Sequence, residues 1–289
     1  LHDSVHSFPT RRSSDLMTIL EARKMDIRVI VLTPEHPSPA SDIADDYIIG
    51  SLYDEDKIRE LASKCDILTY EIEHINVAVL EEIEKSGKIV NPSAKVLKVI
   101  QDKSKQKALL QANNLPTSNW DYINDDNLID MINKYGYPVV QKSCTGGYDG
   151  KGVFVLKSEA DIPNMIKGES FFEEYVPFEK EIAIMVARNA RGQVKTYPLV
   201  DMEFDPTTNM CDITVCPAKV SKEVEEKAKE IATKAIEALD GYGIFGVEMF
   251  LTKDGEILIN EVAPRPHNSG HYTIEGCYTS QYEQYLRAI

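Results

Sequence analysis

Two glutamates near the end of the chain, Glu248 and Glu261, lie in stretches whose residues are typical of paired strands. The stretches 242–252 and 256–263 are joined by the connection 253–256, Lys-Asp-Gly-Glu, and Asp-Gly is a strong signal for a two-residue hairpin turn. If the first and last residues of that connection pair, Glu248 falls directly opposite Glu261, with Cβ atoms about 4.5 to 5.5 Å apart. Like charges at this separation are destabilising without a cation between them, so the pattern predicts a Mg²⁺ site. The alternative is that one of the two glutamates is protonated or solvated.

A glycine-rich segment, Gly146–Gly152, reads GGYDGKG and lies between two predicted strands. Its glycines let backbone N–H groups turn towards an anion, and Lys151 adds a positive charge, so the segment predicts a flap over phosphate groups. It lacks the Ser or Thr of a P-loop, and it does not open a helix as a dinucleotide-binding loop does. Lys142 enters the loop and Lys103 opens a preceding helix, so either is placed to reach phosphate. The alternatives are an ordinary flexible hairpin and solvated lysines.

The segment Pro264–His271, PRPHNSGH, places a cation, two imidazoles, an amide and a hydroxyl within eight residues. This density of polar groups predicts a pocket for a small anion, in which Arg265 offers a planar fork for carboxylate, bicarbonate or phosphate. The spacing differs from the helical HExxH pattern of zinc sites, and two prolines oppose a regular helix, so we expect no zinc here. The alternative is a loop whose polar groups only bond one another.

The composition bounds the class of protein. The chain of 289 residues is 43% hydrophobic and 27% charged, which is typical of a globular protein with two or three packed units. With 32 basic and 47 acidic residues the net charge is −15, and the sequence has no basic stripe, so we expect no nucleic-acid partner. No window approaches the roughly 20 apolar residues of a membrane helix, so we expect no membrane partner. Five cysteines at scattered spacings, without a CxxC pair, favour a reducing, cytoplasmic location.

The order of predicted elements gives an α/β fold in which three parts position these residues. In residues 17–100, short β-branched runs alternate with helical patterns, which predicts a parallel sheet covered by helices. Residues 101–176 alternate helices and strands around the glycine-rich loop and predict a small α+β lobe. Residues 177–289 combine long strands with one strongly amphipathic helix, 221–239, for which Ser221 is the predicted N-cap, and they predict a large lobe.

The first 16 residues show neither a helical nor a strand period, and part of them, HSFPTRRSSDL, resembles the translation of a common sequencing adapter. We therefore expect residues 1–16 to be a non-native leader outside the fold; the alternative is a natural disordered tail. On this hypothesis Met17 is an internal residue. The last residues stop inside a helical pattern, so we expect the chain to be cut at both ends.

Several motifs, in their order along the chain, resemble the ATP-grasp superfamily and, within it, the N5-carboxyaminoimidazole ribonucleotide synthases of purine biosynthesis. They are TYEIEH at 69–74, GGYDGKG at 146–152, NEVAPRPHNSGH at 260–271 and the final SQYEQYLRAI. The resemblance covers 17–289 and implies an ATP-grasp fold, with an N-terminal pre-ATP-grasp domain and two ATP-binding lobes. It further implies a ligase that uses ATP to turn bicarbonate into carboxyphosphate and passes the carboxyl group to the amine of aminoimidazole ribonucleotide.

The resemblance also implies roles for individual residues. ATP contacts are implied for Lys103, Lys142, Gly147, Tyr148, Asp149, Gly150, Lys151, Gly152, Glu173, Glu174, Tyr175, Val176, Glu181 and Asn260. Glu248 and Glu261 are implied to hold Mg²⁺, as the hairpin predicts independently. The substrate pocket is implied to contain Arg265, His267, Asn268 and Ser269, and catalysis is implied for Arg265, His267 and Tyr148.

The chain departs from the family at several places. Val153 stands where Gln is usual, and Met202–Phe204 follow where a His is common. The leader takes the place of the family's first strand and phosphate-gripping turn, and we expect the family's final small domain to be missing. We therefore expect an intact ATP site with weak or no carboxylation, and a homodimer for the full-length protein. The competing interpretations are another ATP-grasp carboxylase or ligase, transformylase-like, and a nucleotide-binding module without catalysis.

Overall fold

The computed structural model describes residues 5–9, 13–147, 152–204 and 211–289, which form three sheets with helices packed on them. No helix in these ranges is both long enough and apolar enough to cross a membrane. The predicted fold class, α/β with an N-terminal parallel sheet and two further lobes, is confirmed.

The N-terminal part alternates strands and helices as predicted. Its elements are β1 (Val5–Pro9), α1 (Ser13–Lys24), β2 (Arg28–Thr33), β3 (Asp46–Ile49), α2 (Glu55–Ser63), β4 (Ile67–Leu68), α3 (Val77–Lys85), β5 (Ile89–Val90) and α4 (Ala94–Ile100). The strands form one parallel sheet in the order β3-β2-β1-β4-β5. All of β2 except its first residue is buried, as expected for a parallel strand covered on both faces.

The expectation that the leader lies outside the fold is wrong for residues 5–9 and 13–16. The backbone of β1 pairs in parallel with both β2 and β4, so it occupies the centre of the sheet. Ser13 begins α1, and Asp15 and Thr18 of that helix are buried. A strand this short is held by hydrogen bonds to both neighbours. Those partners are distant in sequence, so the local residue period does not report them.

The next part forms a small antiparallel sheet in the order β6-β9-β7-β8, whose strands are β6 (Trp120–Ile123), β7 (Val139–Ser143), β8 (Val153–Leu156) and β9 (Ser170–Glu174). The helices of this part are α5 (Lys103–Ala112), α6 (Leu128–Tyr135) and a short 3₁₀ helix (Glu159–Asn164). The glycine-rich loop connects β7 to β8, as the sequence predicts. Both strands of that hairpin therefore belong to the small lobe.

The largest sheet has the order β13-β12-β10-β14-β15, with β11 also on β10. Its strands are β10 (Phe178–Arg188), β11 (Val194–Thr196), β12 (Val200–Phe204), β13 (Cys211–Val215), β14 (Gly243–Thr252) and β15 (Ile257–Ala263). The helices are α7 (Lys222–Leu239), α8 (Thr273–Gly276) and α9 (Gln281–Ala288), with a 3₁₀ turn at Asn268–Gly270. The neighbours β10, β14 and β15 run antiparallel, and their pairing brings residues that are distant in sequence side by side.

The helix α7 is the predicted amphipathic helix, and it covers the main core. The side chain of Ser221 accepts a hydrogen bond from the N–H of Val224, which confirms the predicted N-cap. The buried face includes Ala228, Ile231 and Leu239, which pack with residues of β14 and β15. This packing fixes the strands that carry the two glutamates.

A further apolar cluster joins the N-terminal sheet to the large sheet. Ile19 of α1 and Val31 of β2 pack with Met185 of β10, Ile244 of β14 and Tyr285 of α9. Side chains in such a cluster are close-packed, so the two sheets hold a fixed relation.

Candidate active site

The hairpin of β14 and β15 carries the two glutamates on paired positions. Glu248 pairs with Glu261, as the sequence predicts. The turn itself differs from the prediction, because Thr252 rather than Lys253 lies opposite Glu256, to whose carbonyl it donates an N–H bond of 2.9 Å. The register at the turn is thus shifted by one residue, yet the glutamates still meet.

A β-bulge on β15 explains how both observations hold. Glu248 pairs with Glu261, but the next residue, Met249, pairs with Ile259, so Asn260 is the extra residue. A bulge interrupts the alternation of faces along a strand. Asn260 and Glu261 are accordingly both half-buried, whereas the residues before them alternate between buried and half-buried. We expected Asn260 on the opposite face from Glu261; the bulge instead brings the two side chains to the same site.

Two lysines of the small lobe face this bulge. Lys103, the first residue of α5, forms an ion pair with Glu261. Lys142 of β7 donates a hydrogen bond of 2.8 Å to Asn260 Oδ1 and forms an ion pair of 2.6 Å with Glu173 Oε2. Two cations from one lobe therefore meet the carboxylate and amide oxygens of the other.

The two paired glutamates differ in their electrostatics. Burial, together with the carboxylates of Glu261 and Glu181, raises the pKa of Glu248 to about 8. Burial alone would also raise the pKa of Glu261, but the ammonium groups of Lys103 and Lys142 lower it below its usual value. Glu261 is therefore ionised, whereas ionisation of Glu248 is unfavourable without a further positive charge nearby. A cation bound at this site would supply that charge.

The oxygen atoms at this site suit magnesium. Carboxylate and amide oxygens are hard ligands of the kind that Mg²⁺ prefers. Within the described part of the chain, no group of three or more His, Cys, Asp or Glu side chains is placed to hold a metal ion. A pair of carboxylates fits an ion that takes its other ligands from water and nucleotide phosphates. Glu248 and Glu261 are the residues that would hold such an ion.

The hairpin of β7 and β8 forms the base of the glycine-rich loop, with Lys142 paired to Val153. Gly152 has a φ of +81°, and a Cβ atom there would lie 2.3 Å from Ser143 Oγ and 3.1 Å from Gly147 Cα. Glycine is therefore required at the point where the loop returns to the sheet. Four predicted flap residues lie outside the described residues: Tyr148, Asp149, Gly150 and Lys151.

The segment predicted to hold adenine, 173–176, spans the end of β9 and the start of its connection to β10. Glu173 is buried, and its two carboxylate oxygens form ion pairs with Lys107 and Lys142. The structure thus places Glu173 behind Lys142, and its direct contact with ATP stays a prediction. Glu174 and Tyr175 are exposed and the following Val176 is half-buried, at the junction of the lobes.

Glu181 lies on β10, opposite Met202 of β12. It is half-buried, and burial raises its pKa to about 7, with a smaller opposing effect from Lys142. Met202 is buried, and its neighbour Glu203 is exposed, so the positions that depart from the family lie beside this carboxylate. Val153 is exposed on the flap hairpin.

Arg265 is fixed by residues of the N-terminal part. Its Nε donates a hydrogen bond of 2.9 Å to Glu73 Oε1, and Nη1 donates one of 3.1 Å to the carbonyl of Pro266. Burial alone would lower the pKa of Arg265, but the carboxylates of Glu73 and Glu71 raise it. A guanidinium carries five N–H groups, so one held in this way still offers donors to an anion.

His267 joins the anion pocket to the glutamate pair. Its Nε2 lies 3.3 Å from Glu248 Oε1, and its Nδ1 lies 2.9 Å from Ser269 Oγ. A Cβ atom at Gly246 would lie 2.7 Å from the ring of His267, so the close approach requires glycine. Asn268 is exposed, but Ser269 is fully buried. The hydroxyl of Ser269 bonds the imidazole here, and its contact with substrate stays a prediction.

A cleft of about 280 Å³ lies between the N-terminal sheet and the lobes. Tyr53, Glu73 and His74 contribute one wall, and Lys103 and Glu261 contribute to another, beside the base of the glycine-rich loop. The sequence motif at 69–74 carries the resemblance but does not itself indicate roles for Glu73 and His74. The feature that could predict such roles is their position directly after β4, because open parallel sheets bind ligands at the carboxyl ends of their strands.

The sequence motifs do not single out Lys107. It follows Lys103 by one helical turn in α5, is buried and forms an ion pair with Glu173. The spacing of four residues, which places both lysines on one face of the helix, is the available signal.

Comparison with known proteins covers nearly the whole chain. Residues 108–282 match the ATP-grasp domain, and residues 15–101 match the ribonucleotide synthetase preATP-grasp domain. The N5-carboxyaminoimidazole ribonucleotide synthase of Bacillus subtilis is 36% identical over 94% of this chain and 72% of the relative. The chain belongs to this family of ATP-grasp enzymes.

Two further relatives show how much of the known proteins this chain covers. The phosphoribosylaminoimidazole carboxylase of Ogataea methanolica is 41% identical over 94% of this chain and 52% of the relative. The chain thus spans about half the length of the curated carboxylases that it matches. The crystal structure of the Aspergillus clavatus N5-carboxyaminoimidazole synthase, in complex with ADP and 5-aminoimidazole ribonucleotide, has a TM-score of 0.92 and 34% identity, over 99% of this chain and 76% of that one. The ATP-grasp fold therefore extends over the described residues that form the cleft.

Proposed function

We propose that the chain carries the site for ATP-dependent carboxylation of 5-aminoimidazole ribonucleotide. In this reaction bicarbonate attacks the terminal phosphorus of ATP, giving carboxyphosphate and ADP. The exocyclic amine then takes the carboxyl group, the C–O bond to phosphate breaks, and phosphate and a proton leave. The observation that carries the proposal is the meeting of Lys103 and Lys142 with the Asn260–Glu261 bulge beside a cleft. The Aspergillus relative, with its two bound nucleotides, supports it.

The nucleotide is proposed to lie between the two lobes. Lys103 and Lys142 would act as point charges on the phosphates, since both ammonium groups already face oxygen ligands at this point. The exposed connection 174–176 would contact adenine, and Glu181 would accept hydrogen bonds from the ribose. The flap, including Gly147 and the other glycines of the loop, would cover the phosphates.

The acceptor nucleotide and bicarbonate are proposed to occupy the cleft on the other side of the glutamate pair. Arg265, held by Glu73, would bind the carboxylate-like anion, and its charge would stabilise the intermediate. His267 and the exposed Asn268 would line this pocket. A role for Tyr148, which lies outside the described residues, rests on the resemblance alone.

Catalysis on this proposal needs no nucleophilic side chain, because it consists of positioning and charge neutralisation. Lys103, Lys142 and Arg265 would bind negative oxygens on both reactants and hold them in line. Burial of these cations strengthens each interaction because water no longer screens it. A magnesium ion at Glu248 and Glu261 would add positive charge at the phosphates when it is bound.

The proposal includes Mg²⁺ as the metal, a homodimer as the assembly and the cytoplasm as the location. The first is supported by the carboxylate pair and the high pKa of Glu248. The other two are supported only by the resemblance and by the cysteine pattern of the sequence.

The test is phosphate release from ATP in the presence of Mg²⁺ and bicarbonate, with and without 5-aminoimidazole ribonucleotide. It is made on this chain and on a fusion that adds the part of the Bacillus subtilis relative that this chain does not match, since the chain covers 72% of that protein. We expect both proteins to bind MgATP. The acceptor should stimulate phosphate release, most strongly in the fusion.

Other outcomes separate the competing functions. Release stimulated by a different amine or carboxylate, and not by aminoimidazole ribonucleotide, would indicate another ATP-grasp ligase. Binding of MgATP without phosphate release in either protein would indicate a nucleotide-binding module. Failure of both proteins to bind MgATP would contradict the proposal as a whole.

A further inference from the structure

Lys107 is a buried cation without a role in the function proposed above. It lies in the middle of α5 and is 3% exposed. Its ammonium group donates hydrogen bonds to Thr117 Oγ1 at 2.6 Å and to Ser118 Oγ at 2.8 Å, and forms an ion pair with Glu173. Three hydrogens of the ammonium group thus meet three oxygen partners, which is what a buried lysine requires.

Glu173 is shared between Lys107 and a second lysine. Its Oε1 meets Lys107, and its Oε2 lies 2.6 Å from the ammonium group of Lys142. Burial would raise the pKa of Glu173, but Lys142 and Lys107 lower it to about 2. One carboxylate therefore balances two cations, so the trio keeps one net positive charge.

The contacts of Lys107 close a ring across the two lobes. Lys142 donates to Asn260 Oδ1 at 2.8 Å, and Thr117 Oγ1 donates to the carbonyl of Ile259 at 2.8 Å. Asn260 and Ile259 are neighbours at the bulge of β15. The ring thus runs from Lys107 through Glu173 and Lys142 to the bulge, and returns through Thr117. It links α5, two strands of the small lobe and the strand that bears Glu261.

We propose that Lys107 is a positioning residue for nucleotide phosphate. Lys107 neutralises part of the negative charge of Glu173, so Glu173 attracts Lys142 less strongly and the ammonium group of Lys142 can still bind phosphate. The same contacts hold that ammonium group beside Asn260. The proposal rests on the proposed function, because it assumes that Lys142 meets the phosphates of ATP. Lys107 itself does not touch the nucleotide, since its ammonium group is enclosed by Thr117, Ser118 and Glu173.

Removal of the charge should act on Lys142 through Glu173. In Lys107→Met the carboxylate of Glu173 is left with Lys142 alone, so their ion pair tightens. The ammonium group of Lys142 then binds phosphate less strongly. A purely structural Lys107 would instead affect all parts of the nucleotide site alike. Adenosine and ADP distinguish the two cases, because adenosine carries no phosphate for Lys142.

The experiment titrates MgADP and adenosine into the chain and its variants by calorimetry, using displacement of a fluorescent nucleotide where binding is weak. For Lys107→Met we expect the Kd of ADP to rise about tenfold or more, the loss typical of one charge-assisted contact, and the Kd of adenosine to change less than about twofold. The control is Lys105→Met, which removes an exposed lysine of the same helix that pairs with Asp102. This control should leave both dissociation constants unchanged.

Two further variants keep the test decisive. Thr117→Val removes the hydroxyl that accepts from Lys107 and donates to the carbonyl of Ile259, but it keeps the ion pair of Lys107 with Glu173, so it should fold even if Lys107→Met does not. We expect it to raise the Kd of ADP about threefold, less than Lys107→Met because the charge of Lys107 remains, with adenosine unaffected. In Lys107→Met/Glu173→Gln, the carboxylate that captures Lys142 is gone, so part of the ADP affinity should return.

The outcomes separate this inference from the function on which it rests. If the unmodified chain fails to bind MgADP, the proposed function fails. If the unmodified chain binds MgADP but Lys107→Met and Thr117→Val weaken adenosine and ADP equally, or weaken neither, Lys107 is structural and the inference is overturned.

Discussion

The carboxylates of this site differ in what their surroundings do to their charge. Glu173 is held ionised by two lysines, whereas burial raises the pKa of Glu181 to about 7 and that of Glu248, with help from Glu261 and Glu181, to about 8. Such opposite shifts within one site are typical of functional groups. They also have a thermodynamic consequence, because a group with a shifted pKa makes stability depend on pH.

Glu181→Gln tests this linkage. The native pKa of Glu181, about 7, lies above the value near 4.5 of an exposed glutamate, so ionisation opposes folding. That cost begins as pH rises above about 4.5, grows until about 7 and is then constant. Thermal melts should therefore show equal stability for the variant and the parent near pH 4.5. At pH 8 the variant should be more stable by about 1 to 2 kcal/mol, with solvent screening at this half-buried site allowed for.

Glu179→Gln is the control for that series, because Glu179 is an exposed residue of the same strand. Its melting temperature should follow the parent at every pH. An unchanged difference between Glu181→Gln and the parent across the range would contradict the environment described for Glu181.

Glu248→Gln tests the carboxylate pair at the level of binding. Loss of one of two carboxylate ligands should remove most of the effect of Mg²⁺ on ADP affinity, so the Kd values with and without the ion should approach each other. Phosphate release should fall by about a hundredfold or more, as expected when a metal ligand is lost. Glu256→Gln, an exposed residue of the same hairpin, is the matched control. Metal-enhanced binding that survives in Glu248→Gln would exclude this residue as a ligand.

At the scale of elements, the sequence predicts which strands pair better than it predicts the exact turn and bulge positions within them. The pairing of Glu248 with Glu261 could be predicted because strand pairing has a period of two and Asp-Gly marks the turn. The bulge at Asn260 could not be predicted, since an extra residue leaves no mark in the hydrophobic pattern. The two deviations compensated, because the turn is shifted by one residue and the bulge shifts the register back.

The environments of single side chains were harder to predict for the same reason. In sequence, Lys107 looks like a surface lysine and Glu173 looks like a free carboxylate, because their ion pairs and hydrogen bonds join residues that are distant in sequence. Ser269 likewise lies in a polar loop, yet it is fully buried, with its hydroxyl between His267 and Met185 of β10. Mutual burial of this kind depends on tertiary contacts, which a local pattern does not contain.

The flap hairpin provides a test at this scale. Gly152→Ala should be destabilising for two reasons, the positive φ of +81° and the overlap of a Cβ atom with Ser143 Oγ at 2.3 Å. Gly255→Ala is the matched control, because it shares a φ of +79° in a hairpin but has nothing within 4 Å. We expect a cost of about 1 kcal/mol for Gly255→Ala and about 2 to 3 kcal/mol for Gly152→Ala, measured by urea unfolding. Equal costs would show that Ser143 moves aside.

At the scale of the whole molecule, the site is assembled by three sheets that each contribute a different chemical group. The small lobe supplies the lysines, the large sheet supplies the carboxylates and His267, and the N-terminal sheet supplies Glu73, which holds Arg265. Glu73 follows β4, and β4 pairs directly with β1. The position of Arg265 therefore depends on residues near the start of the chain, which sequence reasoning placed outside the fold.

Ser7→Pro tests this dependence. Ser7 lies in the centre of β1 and pairs with Ile30 of β2 and with Leu68 of β4. Proline lacks the N–H that a central strand donates, so it should cost about 3 kcal/mol or more and loosen the N-terminal sheet. Hydrogen exchange should then be faster in β2 and β4 than in α7, and Ser7→Ala, which keeps the N–H, should exchange like the parent. Because Glu73 follows β4, phosphate release stimulated by the acceptor should fall in Ser7→Pro more than MgADP binding does. Unchanged exchange in β2 and β4 would mean that β1 is not part of the sheet in solution, and that Arg265 is held without it.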